Sequence, residues 1–416
     1  SDYPLRDVYK RQGLDCVFCV TILGMRRTRL WLLLVLASLA LFALAGASHA
    51  QAQAAAPQTE SYTGEPLCLP DVYPGEMGDC LPLGPSTTLT RMAQIGMFFP
   101  LRPLPAVKPP EDYKIAPDAY LRISERSVPA YSSLDAAISR SSSYTYAAGS
   151  KYLAVAERIR REDGSYFRLI SGFWVAAAEA ETSCCIYSGS FQGLIFRATP
   201  ASSFGWTVNE SRARSGPGYN YDEVGETFYP QTVFPVYDVV DAENTTWYMI
   251  GVDRWVVRRD MRQFVIRRTA PEGVTNNRWI EVDLYNQTLG VYQDGELKFA
   301  TLIASGSNPF YTRPGLFQIY KKLETENMSG SFEADRSDYY YFERVPYTMY
   351  YDEARALHGA YWRTLFGYPQ SHGCVNLSIS DSRWLFEWAL EGDWVFIHDP
   401  SGTTPTDPAY YTAGGA

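Results

Sequence analysis

The segment SHGCVNLS, residues 371–378, places His372 two positions ahead of Cys374 with only Gly373 between them, and His358 lies a short distance upstream. The whole chain has 4 histidines, so half of them stand near this one cysteine. A cysteine attacks as thiolate, and with a reference pKa of about 8.5 only a few per cent is ionised at neutral pH. It therefore needs a base, and the imidazole pKa of about 6.5 suits histidine to take that proton and later return it. Residues i and i+2 of an extended segment share a face, while an intervening glycine allows a tight turn, so His372 is expected to shape the pocket. His358, on a neighbouring strand, is better placed to face the thiol and is the preferred general base. Gly373 would let the amides around Cys374 approach a substrate carbonyl and stabilise an oxyanion.

Two other chemistries stay open on spacing alone. A lone cysteine in a strand can be a small buried hydrophobe, and two histidines with a cysteine can bind zinc. Zinc would need a fourth ligand, for which Asp352, Glu353 or His398 are the candidates. His398, after the last strand, reads as a surface residue.

The elements that would hold these residues are mainly β. From Trp279 the chain alternates apolar and polar residues through WIEVDLYNQTLGVYQDGELKFATLIASG, with Asp294-Gly295 as a hairpin turn. TRPGLFQIYKKL (312–323) and VPYTMYY (345–351) are expected to be further strands. A helix follows the cysteine motif, with Ser378 or Ser380 as N-cap, Trp384, Leu385 and Trp388 on one face and Gly392 as its stop. WVFI (394–397) supplies a closing strand, and RRTAPEGVTNN (267–277) reads as a linker before the domain.

Ahead of that linker lies an internal repeat. KYLAVAERIRREDGSYFRLISGFWVA (151–176) aligns without a gap on TVFPVYDVVDAENTTWYMIGVDRWVV (232–257), setting Tyr166 on Trp247 and Trp174 on Trp255. Each copy has an upstream strand followed by Pro and Tyr, so each is expected to be a small barrel of about five strands.

The 416 residues allow several domains, and 15% aromatic against 20% charged residues is the balance of folded β-rich protein. Net charge is −9 overall and about −12 beyond residue 50, with no basic cluster, which argues against nucleic acid as a partner. Residues 1–24 are read as an upstream extension, which discounts Cys16 and Cys19. Residues 25–50 have the basic, apolar and small-residue regions of a signal peptide, so export to the cell wall, periplasm or outside is expected. Membrane contact would come only through that segment, left uncleaved. Residues 51–115 read as a spacer and irregular Pro-rich leader, and 401–416 as a flexible tail. Of the remaining cysteines, Cys68 and Cys80 flank a loop they could close, Cys184 and Cys185 are a vicinal pair or two buried thiols, and Cys374 is left over.

His358-Gly359 followed by Ser371-His372-Gly373-Cys374 resembles the signature of the L,D-transpeptidase catalytic domain, the YkuD-type family. The resemblance extends through RWIEVDLYNQTLGVYQDGELKFATLIASG and TRPGLFQIYKK, where Arg313 is inserted ahead of Pro314. It implies a mostly β, sandwich-like catalytic domain over 277–400 with one or two short helices. It implies Cys374 as nucleophile and His358 as base, with Gly373 and Cys374 lending amides to the oxyanion and His372 and Ser371 ordering the site. The implied substrate is a peptidoglycan stem tetrapeptide, with no cofactor and no metal. Many members have Arg two residues after the cysteine; this chain has Asn376, a neutral amide that cannot give a carboxylate the contact Arg would. Asn376, Gly359, Tyr347, Met349 and Trp362 are candidates to line the substrate groove, the last three equally readable as core. The repeat copies, 116–182 and 203–266, resemble bacterial SH3-like modules, which implies binding of cell-wall glycan or peptide.

Overall fold

In the strand Arg278–Asp283, Ile280 and Val282 enter one core while Trp279, the residue before Ile280, enters another, and this alternation organises two layers. The computed structural model describes residues 91–92, 94–97, 104–180, 186–188, 191–331 and 339–411. The signal-peptide, spacer and early-cysteine expectations lie outside them, as do Cys184 and Cys185.

One layer is a seven-stranded sheet in the order Ala106–Val107, Leu194–Phe196, Glu296–Leu302, Thr288–Gln293, Arg278–Asp283, Trp394–His398, Gly315–Gln318. Its central hairpin turns at Asp294 and Gly295, both at positive φ, as the Asp-Gly pair requires. The other layer is a nine-stranded sheet. Its main path runs Val375–Leu377, Arg355–Gly359, Tyr340–Asp352, Ser150–Arg161, Ile115–Ile123, Ile186–Ser188. Ile280, Val282, Leu289, Val291 and Phe299 from the first layer meet Met349, Tyr351, Leu357, Val375 and Leu377 from the second, with Leu385 of the helix closing the core.

That helix is Ile379–Trp388. Ser378 caps it by accepting from the Asp381 amide at 3.2 Å, and the acidic Asp381 sits in the first turn, where the helix dipole favours it. The Asp381 carboxylate also accepts from Gly193 N and Thr301 Oγ1, tying the helix to the sheet. The helix ends before the expected glycine, because Ala389 turns to extended backbone; Gly392, at φ +93, lies in the turn into Trp394–His398. A shorter helix, Leu134–Ile138, precedes the cysteine motif. TRPGLFQIYKKL is two strands, Gly315–Gln318 and Lys321–Gly330, and they belong to different layers. Ile319 is buried at the crossing and Tyr320 is exposed.

The repeat is real at the level of register. Tyr166 pairs with Ile159 and Ala176 as Trp247 pairs with Val240 and Val257, and Trp174 pairs with Arg168 as Trp255 pairs with Met249. No closed barrel is found among the described residues, however. The first copy's long strand Ser150–Arg161 joins the nine-stranded sheet, its first residues parallel to Tyr340–Phe342. The second copy divides between a three-stranded and a five-stranded sheet, and its Phe204, Trp206 and Phe264 pack on Trp279 and Tyr292. The alternating pattern specified strands correctly, but an open edge can pair with any strand, and here the edge of the first copy pairs outside the repeat.

Two terminal expectations are also revised. Ala106–Val107 of the Pro-rich leader is an edge strand. The tail is docked as far as Tyr411, which is buried and gives its carbonyl to Arg355 Nη2 at 2.9 Å.

Candidate active site

Arg355–Gly359 and Val375–Leu377 are neighbouring parallel strands with Leu357 opposite Val375 and His358 opposite Asn376. Leu357, Val375 and Leu377 enter the core, so His358 and Asn376 face the other way, and Cys374, two residues before Asn376, shares their face. They open into a cavity of about 190 Å³ lined also by Trp362, Arg363, Ser371 and His372 and by Tyr340, Phe342 and Met328. Ser150, the first residue of the repeat's long strand, completes the lining.

Burial sets the protonation of the central pair. The Cys374 thiol, 6% exposed, is pushed up to about 11 by burial, against a backbone hydrogen bond from Ala356 and the charge of Arg355, which lower it. His358, 2% exposed, is pushed down to about 4 by burial, against the raising effect of its bond to Gly359 O; the Arg363 charge lowers it further. At neutral pH both groups are uncharged, and thiolate forms only as its proton leaves during attack. His358 is held on both sides: Nδ1 lies 3.2 Å from Gly359 O, and Nε2 lies 3.0 Å from Asn376 Nδ2. The Gly359 carbonyl is thus an orienting group for the imidazole. A Cβ at Gly359 would stand 2.6 Å from Ser382 Oγ, so a larger residue there would force the buried Ser382 side chain to move.

Ser371 orders the loop. Its hydroxyl donates to Cys374 O at 2.5 Å and accepts from Gly373 N at 3.1 Å. Gly373, at φ +121, makes the tight turn, and its carbonyl accepts from Thr312 Oγ1 at 2.8 Å. Its amide is therefore committed to Ser371, not aimed at an oxyanion. His372 stacks on an aromatic ring at the cavity, parallel to Tyr340 at 5.2 Å and beside Phe310. Among the described residues no three His, Cys, Asp or Glu side chains are grouped to hold a metal ion.

Three groove candidates fare differently. Trp362 lines the cavity, 4.2 Å from the Phe342 ring and 5.7 Å from His358. Met349 is fully buried in the sandwich core. Tyr347, at φ +57, breaks the strand's alternation and packs beside Phe386, outside the cavity lining. Gly359 acts through its carbonyl, not as part of the lining. His398 is not a free surface residue; its Nε2 lies 2.8 Å from buried Glu281, beside a separate cavity of about 760 Å³. Sequence reasoning missed Arg363, Tyr340, Phe342, Met328 and Ser150. Tyr340 and Phe342 had a signal, an aromatic pair at i and i+2 in YYFERVPYTMYY, whereas an arginine in the WRTLFGYPQ loop had none.

Residues 277–397 match the family model of the L,D-transpeptidase catalytic domain, YkuD. The chain carries an L,D-transpeptidase catalytic domain there. Solved structures of L,D-transpeptidases are similar to it. The catalytic domain from E. faecium L,D-transpeptidase, determined by NMR, is 30% identical over 30% of this chain and 100% of that chain, with a TM-score of 0.27. L,D-transpeptidase (Yku) from Stackebrandtia nassauensis is 26% identical over 33% of this chain and 63% of that chain, less than two thirds of its length, with a TM-score of 0.25. L,D-transpeptidase from Mycobacterium smegmatis is 17% identical over 50% of this chain and 90% of that chain, with a TM-score of 0.28. No curated protein matches the chain. The L,D-transpeptidase domain thus accounts for the seven-stranded sheet's central strands, the helix, the strand that carries His358 and the loop that carries Cys374.

Proposed function

We propose that this protein is a peptidoglycan L,D-transpeptidase that forms 3-3 cross-links through a thioester on Cys374. The observation that carries the reading is the convergence of Cys374 and His358 on one cavity inside the matched domain. In the proposed reaction the Cys374 proton passes to His358 as sulfur attacks the carbonyl of the third residue of a tetrapeptide stem. The tetrahedral intermediate collapses, the C–N bond breaks, and D-Ala leaves with the proton returned by His358. The amine of a neighbouring stem then attacks the thioester, giving its proton to His358 and restoring the thiol. The neutral resting pair suits this sequence, because the base is unprotonated when substrate arrives.

With the Gly373 amide engaged by Ser371, the Cys374 amide is the remaining proposed oxyanion donor in the loop. Asn376 and Trp362 are proposed to contact substrate, with His372 and Ser371 holding the loop. The two repeat copies, 116–182 and 203–266, are proposed to engage cell-wall glycan or peptide, and residues 25–50 to direct export. No helix among the described residues is long and apolar enough to cross a membrane.

An L,D-carboxypeptidase would use the same residues with water in place of the amine. A disaccharide-tetrapeptide muropeptide, incubated with the protein and with Cys374→Ala and followed by mass spectrometry, separates the readings. A Cys374-dependent dimer supports transfer and a Cys374-dependent tripeptide supports hydrolysis. Unchanged substrate with both proteins would favour a wall-binding role without catalysis.

A further inference from the structure

The hydrogen bonds around His358 form a chain whose direction is set at one end by a group that can only donate. Arg363 Nε lies 2.5 Å from Asn376 Oδ1. A guanidinium has no acceptor, so the amide oxygen of Asn376 faces Arg363 and its NH2 faces His358. That NH2 lies 3.0 Å from His358 Nε2 and can only donate, so Nε2 holds a lone pair. The proton of the neutral imidazole is then on Nδ1, 3.2 Å from the Gly359 carbonyl, which can only accept. A pure donor at one end and a pure acceptor at the other leave one consistent arrangement in between.

We propose that Arg363 is a positioning residue that acts through Asn376 to fix His358 in the tautomer whose Nε2 is the basic atom. The proposal rests on the reading of His358 as the base. Arg363 is itself fixed, since its Nη1 donates to Gln370 Oε1 at 3.1 Å and its Nη2 to Gln370 O, while Gln370 N is held by Ser305 O at 2.8 Å. His358 and Asn376 are in register on adjacent strands, so the middle link is set by the sheet. The same arrangement gives Asn376 a use that its charge alone would not suggest. The cation that the chain lacks two residues after Cys374 is supplied from the loop by Arg363, one hydrogen bond further from the imidazole. When the thiol proton reaches Nε2, that nitrogen stops accepting from Asn376, so the relay opens at this one bond during catalysis.

The test is the ¹⁵N spectrum of histidine-labelled full chain, with His358 assigned by its loss in His358→Gln. The expected wild-type signature is protonated Nδ1 and unprotonated Nε2. Asn376→Asp replaces the NH2 with an oxygen that can only accept, so Nε2 should gain a proton and thioester formation should fall by about a hundredfold. Arg363→Met should give mixed tautomers and a loss of about tenfold in kcat, while Arg363→Lys, still only a donor, should restore the wild-type signature. A wild-type spectrum with protonated Nε2 overturns the proposal, as does a signature unchanged in both Asn376→Asp and Arg363→Met. If the tautomers respond as stated but the wild type neither transfers nor hydrolyses stem peptide, the relay stands and the functional reading falls. Turnover with tautomers that ignore Arg363 and Asn376 removes the relay alone.

Discussion

The two copies of the repeat share a strand register and differ in what they join. The first continues without a break from Ser150 to Arg161 and pairs its opening residues with Tyr340–Phe342, so that Ser150 becomes part of the cavity wall. In the second, the equivalent stretch divides into Val233–Pro235 and Asp238–Ala242, which lie in different sheets. The aligned residues at the division are Ala154 and Pro235. The Ala154 N–H donates to Glu343 Oε2 of the strand Tyr340–Asp352 at 2.7 Å, a bond that proline cannot make. Pro235 sits instead on an edge strand, where a missing N–H is tolerated. One copy is therefore stitched into the active-site sheet, and the other supports the opposite layer through its aromatic face.

The largest expected effect comes from the second copy's aromatic face. Trp206, 1% exposed, packs with Trp279 and Tyr292, so Trp206→Ala should cost about 3–5 kcal/mol in denaturant unfolding. Turnover per folded molecule should be unchanged; a matching fall in turnover would mean that this copy also shapes the site. Next, Ala154→Pro should remove the stitch at a cost of about 3 kcal/mol, because a part-buried carboxylate loses its donor. This variant should lose turnover as well as stability, and equal damage from Pro235→Ala would break the comparison.

Acid offers a third contrast. Because His358 is held down to about 4, the unfolded chain binds a proton between about pH 6.5 and 4 that the folded chain does not, so stability falls as pH falls through that window. The slope is at most about 1.4 kcal/mol per pH unit, and His358→Gln should abolish it. Asp381 opposes it. Burial pushes that carboxyl up to about 6, so its contribution is lost as pH rises from about 4 to 6, and Asp381→Asn should reveal the full histidine slope in a pH series of unfolding curves. Hydrogen exchange should show Tyr340–Phe342, beside the first copy, loosening in acid before Trp247–Val257 of the second. The smallest effect is Pro235→Ala itself, within about 0.5 kcal/mol by the same unfolding assay.

Much of the site was legible because its signal is local. Cys374, His358 and His372 stand out by residue type and spacing, Ser371 and Asn376 only by the family resemblance, and all five line one cavity; the Asp294-Gly295 hairpin follows from turn chemistry. What was not legible depends on distant partners. Arg363 has no local pattern, because its hydrogen bonds to Asn376 and Gln370 exist only once the loop folds. Met349, a groove candidate equally readable as core, falls on the core face with Tyr351, and the positive φ at Tyr347 interrupts the alternation that would have decided between the two. The repeat announced its strands and their register, but the edge that would close a barrel in isolation finds Tyr340–Phe342 instead.

The central claim is that Cys374 carries the acyl group. Intact-mass measurement of the protein mixed briefly with a tetrapeptide stem ending in D-Ala tests it most directly. The account predicts one tripeptidyl adduct, mapped to Cys374, appearing with one equivalent of released D-Ala and absent in Cys374→Ala. Release of D-Ala by Cys374→Ala, or an adduct on any other residue, would contradict it.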